Sequence, residues 1–84
     1  MIREIVGPLQ AELEGLEERI GDLEKKQKEI EKVLADPEFF KDKERSVPML
    51  RDYRDTRSRL EELMERWEQG QDRLEKIKKE LGVD

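Results

Sequence analysis

Leu34-Ala35-Asp36-Pro37-Glu38-Phe39-Phe40-Lys41-Asp42 lies between two charged, leucine-studded runs of nearly equal length, and its reading decides the fold. Pro37 has no backbone N–H and pushes Asp36 away from helical angles, so a helix arriving from the N-terminal side should stop near Ala35. Asp36-Pro37 also reads as an N-cap followed by the first position of a short new turn, which would press Phe39 and Phe40 onto the end of a hairpin. The chain is expected to fold back on itself here.

Outward from the turn, both flanks carry a heptad seam. Before it, Leu9, Leu13, Leu16, Ile20, Leu23, Gln27, Ile30 and Leu34 recur at alternating spacings of four and three, the pattern of a coiled-coil helix. Gly7-Pro8 is a helix-start signal, so the first helix is expected over about residues 8–35, with Gly15 and Gly21 on its outer face. After the turn, placed at residues 36–47, Val47-Pro48 gives a second start. The second helix is expected over about residues 48–81, with a seam of Met49, Tyr53, Thr56, Leu60, Leu63, Trp67, Gly70, Leu74, Ile77 and Leu81. A frame using Met64, Gln71 and Lys78 instead of Leu63, Gly70 and Ile77 is less apolar and is rejected. Gly82 stands where a C-terminal glycine cap belongs, after the lysines Lys76, Lys78 and Lys79 that suit the negative end of a helix dipole.

Laid antiparallel about the turn, the seams pair Leu34 with Met49, Ile30 with Tyr53, Leu23 with Leu60, Ile20 with Leu63, Leu16 with Trp67, Leu9 with Leu74, Val6 with Ile77 and Ile2 with Leu81. Every a position then meets a d position. Gln27 opposite Thr56 makes one polar layer, which would hold register at some expense of stability. Leu13 opposite Gly70 leaves space for the Trp67 indole. The fold class is all-α, a two-helix antiparallel coiled-coil hairpin, about 40 to 50 Å long at about 1.5 Å per residue. Its core is thin, so weak self-association through an exposed apolar strip is expected, with Met64, Val33 and Leu50 as the flanking residues concerned.

Composition agrees with a single such domain. The chain has 84 residues, 33% apolar and 49% charged, enough to bury a seam but not a thick core. Its regular leucines separate it from a disordered acidic tail. It has neither Cys nor His, which excludes disulfides, Cys/His zinc sites and His-based acid–base catalysis. No apolar run approaches the length of a signal peptide core or a membrane span, so a soluble, cytoplasmic protein is expected. Phosphate-cradling glycine loops are missing, and Ser46 and Ser58, the only serines, have no base beside them in sequence. Catalytic, cofactor and metal sites are not expected in this segment.

The motif Leu34-Ala35-Asp36-Pro37-Glu38-Phe39-Phe40, followed one helix later by Leu60-Glu61-Glu62-Leu63-Met64-Glu65-Arg66-Trp67-Glu68, resembles the C-terminal coiled-coil domain of ABC-F ATPases of the Uup type. In that family a leucine-rich helix ends in a similar Asp-Pro-Glu-Phe/Tyr turn, and the returning helix carries a Trp-Glu near its far end. The resemblance covers roughly residues 9–75, and its motifs are structural. It implies a parent with two upstream ATP-hydrolysing domains that would hold ATP and Mg, of which this segment, beginning at Met1, would be the end. It further implies an arm serving translation or acting on DNA. A weaker resemblance, resting on an Asp-Pro-Glu turn between helices, runs to the N-terminal arm of bacterial peptide-chain release factors. No counterpart of Trp67 is known there.

Charge is the remaining signal. Residues 1–24 carry two basic and seven acidic groups and residues 60–84 five and eight, whereas residues 25–59 carry eleven basic and eight acidic. The base of the hairpin is thus negative by eight and the tip half positive by three, so a nucleic acid or a ribosome would be drawn to the tip. The candidate contacts are Lys25, Lys26, Lys41, Lys43 and Arg45 toward the tip, with Arg19, Arg59 and Arg66 as a ridge along the side. In the proposed register Glu12 flanks Arg73 and Glu24 flanks Arg57, favourable pairs. Arg19 falls beside Arg66 and Lys26 beside Arg59, like-charge pairs that Asp22, Asp55 and Glu62 could neutralise. The competing class is a structural spacer or a protein docking or dimerisation hairpin, in which these charges are only a solvated face.

Overall fold

The computed structural model describes residues 2–82, with side chains described for residues 6–82. Helix α1 runs Ile2–Leu34, a single 3-10 turn covers Phe39–Lys41, and helix α2 runs Lys43–Glu80. The two helices pack side by side as an antiparallel hairpin, 60 Å long and 16 by 14 Å across. No strand occurs among the described residues.

The reversal forms as its residues dictate. Helix α1 closes with the Ala35 N–H on the Glu31 carbonyl at 2.9 Å. The Asp36 carboxylate then accepts the Glu38 N–H at 3.0 Å, and its carbonyl accepts the Phe39 N–H at 3.1 Å. This is an Asx-turn; the 3-10 turn itself starts at Phe39 with Glu38 as its N-cap and no side-chain cap bond, so Asp36-Pro37 makes the bend but not the N-cap and first position expected. Phe39 is half-buried against the start of α2, while Phe40 is exposed and meets it edge to face at 6.5 Å. One of the two rings, not both, is therefore pressed onto the end of the hairpin. The Asp42 carbonyl takes the N–H groups of Arg45 and Ser46 and starts α2. At the far end Gly82 adopts φ +70°, and its N–H closes on Lys79, the left-handed cap that glycine forms without strain.

Both helices begin earlier than the prolines suggest. Pro8 and Pro48 lie inside α1 and α2, not at their first positions. Each removes one i→i−4 bond close to a helix start, but starting earlier buries Val6 in α1 and Ser46 in α2. Packing outweighs the local preference for a start at proline. The extra turns also explain why the rod is longer than the helices expected from sequence allow.

The register holds. A Cβ placed on Gly70 would lie 2.5 Å from Leu13 Cδ2, so these two residues face each other as the seam requires. Leu13, not the Trp67 indole, occupies the space above Gly70. The main core joins Val6, Leu13, Leu16, Ile20, Leu60, Leu63 and Leu74, with Leu9, Leu23, Trp67 and Ile77 packed at its margin. Leu63 is the deepest, at 1% exposure. Each such leucine or isoleucine contributes about 1.5 to 3 kcal/mol by leaving water. The core stops at the Gln27 and Thr56 layer, where Thr56 is buried and Gln27 half-buried. Beyond it Ile30 is buried, but Leu34, Met49 and Tyr53 are half-buried. No buried side-chain N or O atom among the described residues lacks a hydrogen-bond partner. The expected contact of Ile2 with Leu81 lies outside the described side chains.

Candidate nucleic-acid interface

An antiparallel hairpin offers four surfaces: the backs of its two helices and two flanks where the helix edges meet. The seam fixes which residues stand on each. On the back of α1, heptad positions b and f carry Glu14 and Glu18 toward the base, then Lys25, Lys28 and Lys32 toward the tip. On the back of α2 the same positions carry Arg51 and Arg54 toward the tip, then Glu61, Glu65, Glu68, Asp72 and Glu75 toward the base. Basic residues predominate on the tip side and acidic ones on the base side of both backs, with Glu44 and Lys79 at the two ends of α2 standing against the trend. All five tip-side cations are exposed, and none forms an ion pair among the described residues.

The candidates named from sequence are placed as follows. At the tip Lys41 pairs with Glu38 at 3.1 Å and Arg45 with Asp42 at 3.6 Å, each three residues apart and exposed. Lys43, at the first position of α2, has no such partner among the described residues. Exposed pairs of this kind are worth about 0 to 1 kcal/mol, so both side chains can exchange their carboxylate for a phosphate. Lys25 stands free on the back of α1. Along the side, the expected clash of Lys26 with Arg59 does not occur. Lys26 crosses the hairpin to Asp52 at 3.1 Å, and Arg59 turns along its own helix to Glu62 at 3.4 Å. Arg57 likewise takes Glu61 at 3.5 Å and leaves Glu24 without it. Helical i+3 and i+4 partners are one turn away and compete well with cross-hairpin ones. Glu12, Arg66 and Arg73 share one groove floored by Leu9, Leu13 and Leu16, but no ion pair closes between them. Arg19 is exposed and has no ion pair among the described residues.

The ridge of Arg19, Lys26, Arg59 and Arg66 is therefore interrupted by pairing, whereas the back-face stripe is not. Lys28, Lys32, Arg51 and Arg54 are the residues that sequence reasoning passed over. Their signal was present: once the seam is numbered, positions b and f can be read off as separate faces, and charge summed over whole halves hides them.

The opposite flank carries different chemistry. The Trp67 indole N–H donates to the Glu17 carboxylate at 2.9 Å and the Tyr53 hydroxyl to Glu31 at 3.0 Å. The two donors are two heptads apart, as are their acceptors. They clamp one edge of α1 to α2.

Among the described residues no helix is long and apolar enough to cross a membrane, and no cluster of acidic side chains is placed to hold a metal ion. No curated protein and no solved structure shows significant similarity to the chain. The family model of the ABC transporter C-terminal domain matches residues 8–69, a span from the first full heptad of α1, through the Asp36-Pro37 turn, to the Trp67 clamp. With that match over most of its length, the chain belongs to the ABC transporter C-terminal domain family, and it is a non-catalytic arm of an ABC protein.

Proposed function

We propose that this hairpin is the C-terminal arm of a cytoplasmic ATPase of the ABC-F, Uup-like type, and that its tip half contacts nucleic acid, either DNA or ribosomal RNA. The observation that carries this reading is the unpaired basic stripe of Lys25, Lys28, Lys32, Arg51 and Arg54 on the two helix backs, continued around the end by Lys41, Lys43 and Arg45. The ABC-F assignment leans on the Asp36-Pro37-Glu38-Phe39-Phe40 turn and on Trp67-Glu68. ATP and Mg would belong to the parent's other domains.

A net charge of −5 does not oppose this function. The centres of the two halves lie about 30 Å apart in a rod of 60 Å, nearly four times the Debye length of about 8 Å at physiological salt. The acidic base is screened from a ligand at the tip, which meets only the local positive charge. Each back carries its own cations, Lys25, Lys28 and Lys32 on α1 and Arg51 and Arg54 on α2, so a phosphate backbone can lie along either back of the tip half without meeting a seam residue.

A mobility-shift titration of the 84-residue chain with duplex DNA and with structured RNA, repeated at rising salt, tests the proposal. Binding at low salt should weaken with a log–log slope of somewhat under one per phosphate contact. Changing Lys25, Lys28, Lys32, Arg51 and Arg54 to Glu should abolish it with helicity unchanged. If no binding occurs at low salt, or the slope survives this reversal, the arm is a spacer or a protein-docking element.

A further inference from the structure

On the flank where Trp67 and Tyr53 make their clamps, the seam is open on one side. Ile20, Gly21, Met64 and Trp67 line a groove there. Met64, on the α2 side of the groove, is 45% exposed. Gly21 lies at the α1 margin of the groove, where an added Cβ would meet nothing within 4 Å. Glu17, Glu24 and Glu68 rim it. Along the same edge of α1 the glutamates Glu17, Glu24 and Glu31 repeat at seven-residue spacing, whereas the facing edge of α2 runs Leu50, Arg57, Met64 and Gln71, with Arg57 turned to Glu61 on its own helix. The groove is therefore a local one, about a heptad long, with Met64 on its α2 side and carboxylates at its rim.

We propose that this groove is a docking site for a basic amphipathic helix from a partner protein, which completes a local three-helix coiled coil. Its apolar residues would seat on Gly21, Met64 and Trp67, and its Lys or Arg residues would lie along Glu17, Glu24 and Glu68. The chemistry of the rim excludes the other occupants. Phosphates are repelled by the three carboxylates. A second copy docked flank to flank and antiparallel sets the Glu17, Glu24 and Glu31 edge against its own equivalent, and a parallel copy brings the two acidic bases together. A partner with basic flanks is attracted in either direction. The site lies in the base half, away from the basic stripe, so it operates independently of nucleic-acid contact.

Trp67 is the only tryptophan and reports from within the groove. The 84-residue chain would be titrated with a synthetic helix about three heptads long, with leucine at a and d and lysine at the flanking positions. The same peptide with glutamate flanks is the control. The lysine peptide should shift Trp67 emission to the blue saturably, with salt-sensitive affinity, and the glutamate peptide should not. Gly21→Leu adds a bulky side chain at the groove margin, where an added Cβ meets nothing within 4 Å, and should weaken the lysine peptide by about tenfold or more, the loss of one anchor contact. Glu24→Lys, which touches no core residue, should do the same. The Lys41→Glu, Lys43→Glu, Arg45→Glu variant should bind the peptide as the parent chain does. No spectral shift, an equal response to both peptides, or full binding after both groove variants would overturn the proposal.

Discussion

The base half and the tip half of this rod differ in both packing and charge. Toward the base, the apolar cluster from Val6 to Leu23 and from Leu60 to Ile77 is nearly continuous, and the helix backs are acidic. Toward the tip, past Gln27 and Thr56, the seam holds one fully buried apolar residue, Ile30, and the backs are basic. Packing is deepest where the surface is negative, and the surface is positive where the packing is thinnest. A hairpin can present its end to a partner in this way because its fold is held at the other end. The tip half is then free to bend or re-pair its exposed charges with little loss.

The sharpest break in this comparison should come from truncating equivalent seam positions in the two halves. Leu63→Ala empties the deepest site and is expected to destabilise by about 3 kcal/mol, within the usual range for buried leucine. Met49→Ala, in the half-buried layer beside the turn, should cost less than about half of that. Chemical denaturation of both variants measures the difference, and equal losses would mean that the core is uniform along the rod.

Removing the polar divide should sharpen the picture. Gln27→Leu combined with Thr56→Val joins Ile30 to the main cluster and should raise stability by about 1 to 2 kcal/mol, from roughly two methylene groups' worth of added apolar burial. The same change should loosen the choice of register, visible as extra sets of amide resonances, because buried polar layers discriminate between alignments.

The helical glycines give a smaller test of the base half. At Gly70 an added methyl collides with Leu13; overpacking of this kind costs about 1 to 3 kcal/mol, partly offset by about 1 kcal/mol of helix propensity. Gly70→Ala should therefore lower the melting temperature. Gly21→Ala meets open space and should raise it, by about 0.5 to 1 kcal/mol of stability. Like signs for the two substitutions would contradict the packing described for Leu13. The smallest change in stability belongs to the tip surface. Lys41→Glu, Lys43→Glu and Arg45→Glu together should alter unfolding by no more than about 0.5 kcal/mol per site, yet should reduce nucleic-acid binding at low salt.

Much of this architecture is legible in the sequence, because a heptad seam specifies partner and register together. The reversal at Asp36-Pro37, the Gln27 and Thr56 layer, the Leu13 and Gly70 contact and the Gly82 cap all follow from spacing and residue type. The rest is not legible for three physical reasons. Local backbone preference puts helix starts at Pro8 and Pro48, but the burial of Val6 and Ser46 overrides it. Seam spacing leaves the space over Gly70 to Trp67, but the indole N–H needs an acceptor, and Glu17 on the flank supplies one while Leu13 fills the gap. Cross-hairpin spacing pairs charges between helices, whereas Arg57 and Arg59 find carboxylates on their own helix. The basic stripe itself follows from the heptad positions and needs no coordinates, only a reading of charge by face.

Hydrogen–deuterium exchange of the 84-residue chain, alone and with nucleic acid at low salt, tests this contrast between the halves most directly. In the free chain the slowest amides should lie around Leu13, Leu16 and Ile20 in α1 and around Leu60 and Leu63 in α2, with faster exchange beyond Gln27 and Thr56. Nucleic acid should add protection in residues 25–59 and leave the base unchanged. Slowest exchange at the tip of the free chain, or protection by nucleic acid confined to the base, would contradict the account.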